Sequence, residues 1–105
     1  MIKAVIVSCM DYRIQEKIAK IISVHNLNYG DYDLILIQGG AGNFEQLKSH
    51  LITSQKLHDP QKVILSIHQD CGYGAHKNNF VKALKITKEI FGNNFNICLE
   101  YITID

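Results

Sequence analysis

The chain has 105 residues, 47% of them apolar and 20% charged, with one proline and a formal net charge of +1. This profile fits a single domain over residues 1–105 and excludes a disordered tail, a collagen or a multidomain enzyme. Lys and Arg number 11 against 10 Asp and Glu, which leaves no electrostatic footprint for a nucleic acid or an anionic membrane.

The chain opens on an apolar run, Ile2 to Ser8. It is too short for the hydrophobic region of a secretory signal, and no run approaches the ~20 residues of a membrane span, so a cytoplasmic location without membrane contact is expected. Three further runs rich in β-branched residues follow: Tyr32 to Gln38, Lys62 to Ile67 and Ile97 to Ile104. The first three runs are continuous rather than alternating, which predicts strands buried on both faces, as in a parallel sheet covered by helices. The fourth partly alternates, with Glu100 and Thr103 interrupting it, and reads as an edge strand.

Helix-length segments separate the strands. From Arg13 to about His25, Ile14, Ile18, Ile21 and Ile22 recur at helical spacing, giving one apolar face. A second helix follows Gly42 and Asn43, carries Phe44, Leu47, Leu51 and Ile52 as its stripe, and stops before Pro60, which cannot continue a helix. The third runs from about Asn78 to Phe91, with Phe80, Leu84, Ile90 and Phe91 facing inward and Gly92 as its C-terminal cap. This βαβαβαβ order predicts an α/β fold: an open, mainly parallel four-stranded sheet in the order 2-1-3-4, with helices on both faces. The order reverses between strands 1 and 3, which opens a crevice at their carboxyl ends.

Two segments fall at that crevice: Ser8-Cys9-Met10-Asp11-Tyr12-Arg13 after the first strand and His68-Gln69-Asp70-Cys71-Gly72 after the third. Three cysteines in a chain without an export signal argue against a disulfide framework. If strands 1 and 3 are neighbours, Cys9 comes within reach of His68 and Cys71, and two thiolates plus one imidazole suit zinc. Three protein ligands leave the fourth tetrahedral position for water or substrate, the mark of a catalytic zinc. The alternative is that Cys9 and Cys71 are small buried hydrophobes and His68 bonds to backbone; Cys98, in the last strand but away from the crevice end, reads as core. Asp11 and Arg13 could be a loop-stabilising ion pair. Beside a zinc, the carboxylate would orient the attacking hydroxide while the guanidinium holds it off the metal. The glycine-rich turn Gln38-Gly39-Gly40-Ala41-Gly42-Asn43 matches no nucleotide loop and reads as close packing of a sharp turn. His76 could shuttle protons, although an exposed histidine is more often idle.

Cys9-Met10-Asp11-Tyr12-Arg13 and His68-Gln69-Asp70-Cys71 together resemble the β-class carbonic anhydrases, whose signatures are Cys-x-Asp-x-Arg after the first strand and His-x-x-Cys after the third. Gly40-Ala41-Gly42-Asn43 echoes that family's intervening loop, with glycine at Gly40 where a polar residue is usual and Tyr12 where a small one is common. The resemblance implies zinc on Cys9, His68 and Cys71, an Asp11–Arg13 catalytic dyad, and reversible hydration of carbon dioxide to bicarbonate. Separately, the exposed edge of a small open sheet makes a homodimer the expected assembly. Two other functions fit the same residues: hydrolysis of a related small electrophile such as carbonyl sulfide or carbon disulfide, and a non-catalytic, zinc-stabilised binding or regulatory domain.

Overall fold

The computed structural model describes residues 1–105. Four strands, β1 (Ala4–Cys9), β2 (Tyr32–Ile37), β3 (Val63–His68) and β4 (Ile97–Ile102), alternate with three helices, α1 (Gln15–Val24), α2 (Phe44–His58) and α3 (Phe80–Phe91). The sheet order is β2-β1-β3-β4 and every pair is parallel. Short 3-10 turns at Tyr12–Ile14, Gly40–Gly42 and Lys77–Asn79 precede the helices, so α1 and α3 begin two residues later than the apolar periodicity suggests. In these turns, apolar side chains such as Ile14 already pack inward before the regular helix starts.

The two central strands are buried along their whole length. On one face Val5, Val7, Val63, Leu65 and Ile67 pack against Leu47 and Leu51 of α2 and Phe80 and Ala83 of α3. On the other, Ala4, Ile6 and Ile64 meet Leu27, Ile21 and Ile22, while Ile14 and Ile18 reach across to Ile102 of β4. Alternate side chains of a strand point to opposite faces, so the continuous apolar runs of β1 and β3 supply both layers at once.

Three expectations need correction. The apolar run of β2 is not buried on both faces: β2 is an edge strand, and Leu34 and Leu36 are 42% and 46% exposed. They share the face of Ile6 and Ser8 by register, where α1 leans toward β4 and leaves them uncovered. Ile52 of α2 is likewise exposed. The buried positions there are Leu47, Leu51 and Ser54, the true 3.6-residue stripe from which Ile52 is displaced by about a quarter turn. In α3 the line of closest approach is Phe80, Ala83 and Thr87, with Leu84 only half-buried. Small side chains let the helix approach the sheet, and Thr87 satisfies its hydroxyl on the Ala83 carbonyl at 2.8 Å.

Candidate metal centre

Cys9 ends β1 and His68 ends β3. Between these neighbouring strands the pairing stops at Val7–Leu65, and the chain of the 39–42 turn enters the gap. Gly40 sits there at φ +53°, and a Cβ at this position would lie 2.7 Å from the Ser66 carbonyl oxygen and 2.9 Å from the Cys9 nitrogen. Gly42 is pressed as closely against Ala75, whose Cβ would stand 2.5 Å away. Close packing is thus the role of this loop. Beside the gap, Ser66 Oγ lies 2.7 Å from Ser8 Oγ and 3.1 Å from the Val7 carbonyl, a buried polar pair that satisfies itself between the strands.

The crevice gathers Cys9, His68 and Cys71. Their ligand atoms all lie within 4.8 Å of one another. His68 is 1% exposed, and its Nδ1 lies 2.7 Å from the carbonyl oxygen of Gln69. A carbonyl only accepts, so the neutral ring carries its proton on Nδ1 and presents a lone pair at Nε2. That Nε2 is buried without a hydrogen-bond partner, and Asp11 Oδ2 faces it at 3.7 Å. The His68 lone pair and two cysteine sulfurs therefore converge beside a carboxylate oxygen, and of the nitrogen and oxygen atoms among them only the ring nitrogen is buried without a partner. A buried acceptor without a partner is costly by itself, and a cation held between it and the two sulfurs would satisfy it. The donor set of one imidazole and two thiols fits zinc.

Asp11 does not share the same freedom. Its Oδ1 accepts from the Arg13 backbone N–H at 2.9 Å and from Nε at 3.1 Å, and its Oδ2 accepts from Nη2 at 2.8 Å. The side-chain hydrogen bonds from Arg13, then the backbone bond, hold the Asp11 carboxyl down at about 2, with a smaller contrary effect of burial. The guanidinium is in turn held above its ordinary value by the Asp11 bonds first and by Asp70 second. Asp11 is thus an ionised acceptor at neutral pH, turned by Arg13.

All five residues singled out in the sequence, Cys9, Asp11, Arg13, His68 and Cys71, meet in this one place. His76 is exposed, its N–H bonded to Asn79 Oδ1 at 2.8 Å, and Cys98 packs against the cluster around Ala4 and Ile64. Asp70 was not anticipated: its Oδ2 and its carbonyl oxygen accept from Arg13 Nη1 and Nη2 at 3.1 and 2.9 Å. Its only signal in the sequence is its place inside the His-x-x-Cys spacer. A separate cleft of about 760 Å³ between α2 and α3, lined by Phe44, Lys48 and Lys82 among others, contains none of these groups.

No family model and no curated protein sequence matches the chain. Solved structures do. A carbonic anhydrase from Streptococcus mutans superposes with a TM-score of 0.67 at 17% identity, covering 97% of this chain and 76% of that one. A carbonic anhydrase from Glaciozyma antarctica gives 0.62 at 20% identity, over 96% of this chain and 76% of the other. The fold is therefore that of these enzymes.

Proposed function

We propose that the protein is a zinc-dependent carbonic anhydrase that hydrates carbon dioxide reversibly to bicarbonate. The observation that carries this reading is the buried, partnerless Nε2 of His68 facing two cysteine sulfurs, with an ionised carboxylate alongside. The fold of the two solved carbonic anhydrases supports it.

In this reading Cys9, His68 and Cys71 hold the metal. Zinc, when bound, supplies an acidified water and hence a nucleophile for the carbon of carbon dioxide. Gln69 fixes the His68 tautomer through Nδ1, so that Nε2 is always the donor to the metal. Asp11, ionised down to about pH 2, can only accept, so it orients whichever proton-bearing group arrives beside His68. Arg13 keeps that carboxylate turned by a bidentate grip that a lysine could not reproduce.

We further read residues 1–105 as one domain acting in the cytoplasm as a homodimer. The uncovered Leu34 and Leu36 of edge strand β2 support self-association. No helix is long and apolar enough to cross a membrane. A second reading, a metal-stabilised domain without turnover, is favoured by one feature: Met10 and Tyr12, which flank Asp11, are both largely exposed, leaving the mouth of the crevice open to water. Metal content by plasma mass spectrometry and stopped-flow hydration of carbon dioxide, from about pH 7 to 9, separate the two. Stoichiometric zinc with hydration lost in Cys71→Ser and Asp11→Asn supports the enzyme; stoichiometric zinc with no hydration at any of these pH values leaves the metal-stabilised domain.

A further inference from the structure

Strand pairing does not join the two loops that carry the candidate ligands. β1 and β3 part after Val7–Leu65, and Gly40 occupies the space between Cys9 N and Ser66 O. Beyond that point Arg13 spans from one loop to the other. Its Nε and Nη2 bind Asp11, two residues from Cys9, and its Nη1 and Nη2 bind the carboxylate and carbonyl of Asp70, one residue from Cys71. Four of the five N–H groups of a guanidinium are thereby engaged. Asp70 takes part through an unusual backbone: φ is +58°, a left-handed conformation that aspartate, asparagine and glycine tolerate best.

We propose that Asp70 is a positioning residue for the metal site: by anchoring Arg13 it ties the Cys9 loop to the His68–Cys71 loop and pre-forms the three-ligand cluster before the metal arrives. The inference rests on the metal-binding reading of the preceding section and concerns metal affinity rather than turnover. A loop pair held in the binding geometry has less freedom to lose on binding, so releasing the tie lowers affinity without removing a ligand. The Asp70 side chain is 79% exposed, so solvent screens the pair and the effect is modest, about three- to fivefold in the zinc dissociation constant.

The test is zinc affinity of the full chain at physiological ionic strength, by competition with a chromophoric chelator, for four proteins. They are wild type, Asp70→Gly, Asp70→Asn and Asp59→Gly. Glycine removes the carboxylate while accepting the left-handed backbone, and asparagine restores an acceptor without the charge. Asp59, also left-handed at φ +47° and lying at the end of α2, controls for the backbone change itself. The expected result is weakened binding in Asp70→Gly alone, recovery in Asp70→Asn, and an unchanged apoprotein melting temperature in Asp70→Gly. Equal affinity in Asp70→Gly and wild type overturns the tie and leaves the metal site standing. Equal loss in Asp70→Gly and Asp70→Asn assigns the effect to charge and also overturns it. A wild-type chain that binds no zinc overturns the metal reading and this inference together.

Discussion

Gly40→Ala tests the packing argument on which the candidate site depends. The residue has φ +53°, and the new Cβ would stand 2.7 Å from the Ser66 oxygen, 2.9 Å from the Cys9 nitrogen and 3.1 Å from the Ser8 carbonyl carbon. All three neighbours are backbone atoms of buried central strands, so none can swing aside as a flexible side chain would. The left-handed conformation costs an alanine roughly 1–2 kcal/mol, and forcing a methyl group into a packed interior typically costs about 1–3 kcal/mol more. Domains of this size are stable by only about 5–15 kcal/mol, so the variant should lose a large share of its stability. Gly74→Ala is the matched control: φ is +98° with nothing within 4 Å of the added carbon, so only the backbone cost applies. Urea unfolding of the three proteins followed by circular dichroism would place Gly40→Ala about 1–3 kcal/mol below Gly74→Ala. Coincident midpoints for the two variants would refute the wedge. The same displacement should weaken zinc binding in Gly40→Ala, because the atom it presses on belongs to Cys9.

Ser66→Ala should destabilise by about 1–3 kcal/mol, since the Ser8 hydroxyl is left buried without its partner. The double variant Ser8→Ala/Ser66→Ala should lose less than the sum of the single changes, and strict additivity in chemical denaturation would contradict the pairing. Asp31 has its carboxyl lowered from 3.8, chiefly by the Asn28 backbone N–H and then by Lys3. Its ionised form therefore stabilises the fold above pH 3.8, and that contribution disappears as pH falls through the lower native value. Asp31→Asn should accordingly be less stable than wild type at pH 7, with the gap closing below about pH 4; a gap constant down to pH 2 would show that Asp31 does not act through its charge. Metal removal should lower the melting temperature of the zinc-loaded protein, because only the folded chain presents the cluster. A chelator that leaves the melt unchanged in scanning calorimetry would argue that Cys9, His68 and Cys71 hold no ion.

The sequence by itself determined the element order, the parallel sheet and the crevice. Apolar runs too short for helices, helical spacing between them and the handedness of crossovers leave few topologies open. It also placed Cys9, Asp11, Arg13, His68 and Cys71, because ligand types at the ends of two adjacent strands must converge wherever those strands run side by side. What it could not determine are properties that depend on which neighbour lies where. Leu34 to Ile37 of β2 is as continuously apolar as the runs of β1 and β3, yet the edge position of β2 and the lean of α1 toward β4 expose Leu34 and Leu36. Ile52 and Leu84 are apolar residues next to the helical stripes, yet the packed faces of α2 and α3 bury Ser54, Ala83 and Thr87 instead. Gly40 reads as close packing in a sharp turn, but only the separation of β1 and β3 shows which atoms it packs against, in the gap between them. Asp70 becomes a partner of Arg13 only because a left-handed residue aims both its carboxylate and its carbonyl across 57 positions of sequence. Local chemistry is written in residue types and their spacing. Which groups press on one another is decided by the tertiary packing, since distances between distant segments exist only once the chain has closed on itself.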